Sequence, residues 1–358
     1  MWANRRGWDG VFDTMTFLDL IFAPPSTQSL LLVAAAAVAL CSIAAVAVLV
    51  SEKRTKAIQM ELRKRVISAC VLSPIIILPA YAGGLAFAVL VAVVAELCLR
   101  EFFKLVRVEE TRAYRWIGSI ASAGLVAAAF LESTPPMFWI GLLTGPVEEG
   151  QKAYLVSIAH SLHPFYVLPV LVIISILLVP IAMQSYQGMS VRESFTIFGI
   201  LYFAWFLGHL VLIRNQPDGF GNVMLLCMCV VFNDVFAYTF GRLWGKEKIA
   251  PTISPKKSRQ GVVAGLVGSI VAALLFRTLV PETPLLVLLG AAVLIGVAAP
   301  LGDLIVSVIK RDMGVKDSGT LIPGHGGMLD RCDSFTLAAP VFYYYMVLVQ
   351  FAFALYKA

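Results

Sequence analysis

The chain has 358 residues, of which 59% are hydrophobic and 14% charged, and its formal net charge is +6 at pH 7. A soluble domain carries about 25% charged residues, so this composition, with a mean hydropathy of +0.85, excludes a pair of soluble domains and leaves no basic domain to bind nucleic acid. It predicts an all-α, polytopic integral membrane protein.

The N-terminal MWANRRGWDGVFDTMTFLDL lacks the basic, apolar and cleavage-site order of a signal peptide, and the first apolar run begins near Ser29. A helix needs about 20 apolar residues to cross the hydrocarbon core. The apolar runs predict ten spans, at roughly 28–50, 65–81, 84–99, 116–131, 165–185, 196–213, 222–240, 261–280, 284–306 and 335–356. The second, third and fourth are short, and only Gly83-Gly84 separates the second from the third. Segment 132–164 is the longest outer loop, and its apolar patches predict an interfacial or re-entrant piece. Five of the six cysteines lie in apolar segments, and Cys227-x-Cys229 lacks a second pair, so neither disulfides nor structural zinc are expected.

In this ten-span arrangement one side carries 22 of the 28 Lys and Arg residues, in loops 51–65, 100–115, 186–195, 241–260 and 307–334. Basic residues accumulate on cytoplasmic loops, so that side is expected in the cytoplasm, facing anionic headgroups or phosphates, with both termini outside.

Polar residues gather near these loops. Asp303 falls at the end of the ninth span, with Ser307, Lys310 and Arg311 at i+4, i+7 and i+8 on one helix face. An intramembrane acid is costly unless paired or facing water. Asp303 is therefore either a site residue or an acid held by Lys310 or Ser307 to fix the helix end. In the seventh span Asn233 and Asp234 precede Tyr238 and Arg242; a packing hydrogen bond would explain Asn233 alone, but explains the adjacent carboxylate less well. The loop PTISPKKSRQG adds Lys256, Lys257 and Arg259, which as isolated charge would read as a membrane anchor.

The densest stretch is KDSGTLIPGHGGMLDRCDS, residues 316–334. Its Pro323-Gly-His-Gly-Gly327 run can present successive N–H groups to an anion, because glycine accepts positive φ. Asp330 and Asp333 stand three apart at the start of the last helix and, with Asp303, offer hard oxygen ligands suited to Mg²⁺. Lys316 and Arg331 supply positive charge; His325 is either a phosphate donor or a loop histidine bonded to backbone. Carboxylates for a metal beside cations for phosphate suit phosphoryl or nucleotidyl transfer without a covalent protein nucleophile.

At these residues the chain resembles the phosphatidate cytidylyltransferases, or CDP-diacylglycerol synthases. The resemblance is carried by Ser307, Lys310-Arg311, Lys316-Asp317, Pro323-Gly-His325-Gly326-Gly327 and Asp330-Arg331-Cys332-Asp333. A second block comprises Asn233–Arg242 and Ile253–Lys257. The resemblance covers about residues 64 to 356, making 64–358 the expected cytidylyltransferase-like membrane domain. Residues 1–63 are then an N-terminal extension with one span and a basic linker.

The resemblance implies transfer of CMP from CTP to phosphatidic acid at the cytoplasmic face, giving CDP-diacylglycerol and pyrophosphate. It implies Mg²⁺ at Asp303, Asp330 and Asp333, with room for K⁺ as a second cation. Lys310, Arg311, Lys316, Asp317, His325 and Arg331 become candidate catalytic residues. Ser307, Gly324, Gly326, Gly327, Lys256, Lys257, Arg242, Asn233 and Asp234 become candidate substrate contacts. CTP, phosphatidic acid and membrane lipids are the expected partners, nucleic acid is not, and a homodimer is compatible with the family. The expected location is the bacterial inner membrane. One departure stands out: Gln260 occupies a position where the family usually has Glu, which keeps open a diverged or inactive paralogue. An ion-coupled transporter using Asp234 and Asp303 is the third reading, but its charges would be scattered over several depths.

Overall fold

The computed structural model describes residues 73–108, 111–132, 163–319 and 326–357. The expected first span, the basic linker, most of segment 132–164, Gly324 and His325 lie outside the described residues. The elements in chain order are α1 (Ser73–Ala82), α2 (Gly84–Leu105), α3 (Arg112–Leu131), α4 (Pro164–Met183), α5 (Met189–Asn215) and α6 (Gly219–Trp244). There follow β1 (Lys248–Ala250), β2 (Ser254–Ser258), α7 (Arg259–Leu275), α8 (Leu285–Asp312) and α9 (Leu329–Lys357). The two strands form an antiparallel hairpin.

Each apolar run expected from residue 84 onward forms a helix, and six of these helices, α3 to α6 with α8 and α9, are long and apolar enough to cross a membrane. Helix α2 falls short because it carries Glu96, Arg100, Glu101 and Lys104. Helix α7 is apolar but has 17 residues, at the lower limit of the roughly 17–25 that a crossing takes. The count of ten is thus not reproduced among the described residues.

The chain divides into two compact units, one of residues 84–216 and one that joins residues 73–83 to 217–357. In the first, α2 and α5 close around buried Phe102, whose ring lies 5.3 to 6.3 Å from those of Phe103, Phe195, Phe198 and Phe203. A π-helical segment, Ile200–Trp205, interrupts α5. Pro169 inside α4 has no N–H to offer the carbonyl of Phe165, four residues earlier. Trp205 Nε1 donates to that carbonyl instead, at 3.2 Å.

In the second unit α6, α7, α8 and α9 pack in sequence, with α6 also against α8 and α9. Small residues set the closest approach: a Cβ on Gly268 of α7 would lie 2.6 Å from the carbonyl oxygen of Phe232 on α6, the kind of contact that packs membrane helices backbone to backbone. Gly302 does the same for α8 and α9, since its Cβ would sit 3.3 Å from that of Leu337 and against the Asp333 carbonyl. The missing side chain brings the turn carrying Asp303 onto the turn carrying Asp333.

Pro300 repeats the arrangement of Pro169. It leaves the Gly296 carbonyl without its helical partner, and Asn233 Nδ2 donates to that oxygen at 3.0 Å and to Ser269 Oγ at 3.2 Å. Asn233 thereby clamps α6 to α7 and α8.

Candidate active site

Depth along the helices places the acids. At 1.5 Å per residue Asp303 lies about 27 Å from the start of α8, and the hydrocarbon core is about 30 Å thick. Asp303 therefore sits near one boundary of the span. The hairpin after α6, the N-termini of α7 and α9, and the C-terminus of α8 meet at that end.

The carboxylate of Asp303 is held from both sides. Lys257 Nζ of β2 lies 2.7 Å from Oδ2 and also donates to the Pro300 carbonyl at 3.1 Å. Ser307 Oγ, one turn on, donates to Oδ1 at 3.2 Å. Ser307 thus supports Asp303 as the helical spacing predicts, whereas Lys310 does not. Lys310 Nζ instead reaches across to Asp330 Oδ1 at 2.6 Å. Both side chains of that pair are about nine-tenths buried, at 10% exposure each, so the charges are shielded from water and the interaction is strong only while both partners remain.

The second oxygen of Asp330 accepts from Ser318 N at 2.9 Å, Ser318 Oγ at 3.0 Å and Gly327 N at 3.3 Å. One carboxylate therefore ties the end of α8, the loop after it and the glycine turn to the first turn of α9, where the helix dipole also favours an anion. Gly326 has φ +85°, as a glycine turn there requires. Gly327 N–H already points at an anion, and that anion is Asp330.

Asp234 of α6, Asp303 and Asp333 of α9 lie within electrostatic reach of one another, so that their carboxylates repel. Lys257 and Arg331 act on Asp234, and Lys310 on Asp333, with the opposite sign. Asp333 is buried and accepts from Ser334 N at 2.8 Å; Asp234 lies at the exposed edge. Like-charged groups held together in this way favour a cation between them. The donors are carboxylate oxygens, whose chemistry fits a hard divalent ion rather than a soft one. Among the described residues no three His, Cys, Asp or Glu side chains stand at metal-binding geometry.

The structure thus gathers Asp234, Lys257, Asp303, Ser307, Lys310, Gly327, Asp330, Arg331 and Asp333. Other expected residues stand apart from this cluster. Asn233 is consumed by helix packing. Arg242 donates to Tyr238 one turn earlier, at 3.3 Å. Arg311 donates to the carbonyls of Ile253 and Val315, at 3.2 and 2.9 Å, tying α8 to the hairpin turn. Lys256, Lys316 and Asp317 are exposed on their loops. Ser318, which binds Asp330 through both N–H and Oγ, carries no sequence signal beyond its place beside Lys316-Asp317.

What the fold and the site define is a helical membrane protein with a mixed carboxylate–ammonium centre at one end of its helices. The chain belongs to the cytidylyltransferase family, whose profile matches residues 63–349. It is 36% identical over 173 residues to a phosphatidate cytidylyltransferase of Staphylococcus saprophyticus, covering 48% of this chain and 66% of that one. A phosphatidate cytidylyltransferase of Synechocystis is 42% identical over 138 residues, 38% of this chain and 46% of that protein. An uncharacterized Escherichia coli protein, YnbB, is 39% identical over 151 residues, 42% of this chain and 50% of its own. The chain spans about half to two thirds of the length of these curated relatives. The resemblance read from the two motif blocks is borne out.

Proposed function

We propose that the protein transfers CMP from CTP to phosphatidic acid, giving CDP-diacylglycerol and pyrophosphate for phospholipid synthesis. One observation carries the reading: in a member of the cytidylyltransferase family, Lys257 and Lys310 are held on Asp303 and Asp330 beside two further carboxylates. A centre of both signs can receive a polyphosphate together with the cations that accompany it.

In the reaction a phosphate oxygen of phosphatidic acid attacks the α-phosphorus of CTP. The bond from that phosphorus to the bridging oxygen of the β-phosphate breaks, and pyrophosphate leaves. Lys257 and Arg331 orient and neutralise the phosphate oxygens, while Ser307 holds the carboxylate of Asp303 and Lys310 and the Gly327 N–H hold that of Asp330. Asp303 and Asp333, with Asp234 beside them, would hold Mg²⁺, with K⁺ as a second cation, supplying charge neutralisation for the triphosphate and the leaving group. Asp330, expected as a third ligand, has both oxygens engaged by Lys310, Ser318 and Gly327. Lys256 and Lys316, exposed on their loops, attract the anionic substrates from solution and from the membrane surface.

The basic asymmetry supports placing this centre on the cytoplasmic face of a bacterial inner membrane. The lipid phosphate is then met at the headgroup level, with the acyl chains left in the bilayer. The deciding experiment incubates purified protein with labelled CTP, phosphatidic acid and Mg²⁺. A labelled, lipid-soluble product with release of pyrophosphate is expected; its absence in folded protein would overturn the reading.

A further inference from the structure

Gln260 departs from the acid expected at its position, and the structure gives it a definite task. Ser258 caps α7, accepting from Gly261 N at 3.2 Å. Gln260, in the first turn of that helix, points back across the hairpin. Its Oε1 accepts from the backbone N–H groups of Lys246 and Glu247, at 3.2 and 3.4 Å. Arg259 secures the same strand entrance, donating from its backbone N to the Glu247 carbonyl at 2.9 Å and from Nη1 to Glu247 Oε2 at 2.9 Å. These bonds close the base of the 246–258 hairpin where the C-terminus of α6 meets the N-terminus of α7. Gly241 fits there because a Cβ would stand 3.1 Å from Ser258 Oγ.

Lys257 leaves from the other end of this closed base, next to Ser258, and reaches Asp303 at 2.7 Å and the Pro300 carbonyl at 3.1 Å. The direction of Lys257 depends on where β2 enters α7, and that is what the hairpin base fixes. We infer that Gln260 is a positioning residue for the cytidylyltransferase centre, aiming Lys257 by closing the hairpin, and is not a contact for metal or nucleotide. Its required property is a carbonyl-type acceptor at the second position of α7. Glutamate has that property and glutamine keeps it, so the substitution leaves the centre intact. The N-terminus of α7 tolerates either, the acid somewhat better.

The inference rests on the proposed activity, and one arm of its test does not. Amide hydrogen exchange in full-length protein in detergent should show Lys246 and Glu247 exchanging about tenfold faster in Gln260→Met and Gln260→Ala, as loss of one or two modest hydrogen bonds dictates, and unchanged in Gln260→Glu. Unaltered exchange in both acceptor-less variants overturns the inference whether or not the protein is an enzyme. The second arm measures cytidylyl transfer. Gln260→Met should lower kcat/KM about tenfold alone, Gln260→Glu should restore it, and in a Lys257→Ala background Gln260→Met should cost little more. Fully multiplicative losses in the double variant, or an altered Mg²⁺ dependence in Gln260→Glu, would show a direct substrate or metal contact and overturn it. If the wild-type protein makes no CDP-lipid, the proposed function fails, and the exchange arm still decides the role of Gln260.

Discussion

Lys310 Nζ stands 2.6 Å from Asp330 Oδ1, and the two residues come from opposite ends of a loop between α8 and α9. Both side chains are largely buried, so neither charge can fall back on water if its partner is lost. Lys310→Ala should therefore destabilise the protein by about 3–5 kcal/mol, the cost of stranding a buried carboxylate. Lys310→Met combined with Asp330→Leu should recover most of that stability while remaining without turnover. Thermal unfolding in detergent, read beside the cytidylyl-transfer assay, checks both halves.

Asp303 offers a cleaner separation of stability from chemistry, because its carboxylate is a third exposed and its partner Lys257 is reachable by solvent. Asp303→Asn keeps the shape and the acceptor for Ser307 but removes the charge. It should lower turnover at least about a hundredfold, the scale expected when a charge serving the transition state is lost, with little change in melting temperature. Asp312→Asn, at an exposed position at the end of α8, should be nearly silent. A purely structural Asp303 would show the opposite order: a lower melting temperature and near-normal activity per folded molecule.

Asn233 and Pro300 should behave as a coupled pair. Asn233→Leu strands the Gly296 carbonyl in an apolar helix interface, an expected loss of about 1–3 kcal/mol. Pro300→Ala returns a backbone N–H to that carbonyl, so in its presence Asn233→Leu should cost clearly less. A double-mutant cycle on thermal stability measures the coupling; simple additivity would mean that the Asn233 bond to the carbonyl contributes nothing.

The topology is open to direct test by single-cysteine labelling. A cysteine at position 316, on the loop with the exposed Lys316, should react with an impermeant reagent in inside-out membrane vesicles and not in intact cells. Strong labelling from outside would reverse the orientation drawn from the basic asymmetry.

Much of this centre was legible because its chemistry is concentrated in short runs. Asp303 and Ser307 share a helix, so their spacing of four predicts their contact. Asp330 and the glycine turn are likewise close in sequence. The contacts that sequence spacing missed are those between elements. Nothing local distinguishes Lys257, which reaches Asp303, from exposed Lys256 beside it; the side of the hairpin each occupies decides, and that is set by how β2 enters α7. Lys310 shares a helix face with Asp303, but the acid it reaches comes from the next helix, through the turn that Gly326 allows. Apolarity alone counts α2 and α7 as spans, whereas length and charge together set six helices apart among the described residues and leave out α2, for its charge, and α7, for its 17 residues.

The prolines in α4 and α8 have a consequence for the ancestry of this chain. Each turns a backbone oxygen into an acceptor whose donor is a side chain on a different helix, Trp205 in one unit and Asn233 in the other. Within a bilayer such an oxygen has no solvent to fall back on. A lineage that exchanges Asn233 for an apolar residue while retaining Pro300 inherits a bare carbonyl. One that exchanges Pro300 first gives the oxygen back to the helix and sets the asparagine at liberty to change later. Substitution at these two positions should therefore be ordered in descent, proline before donor.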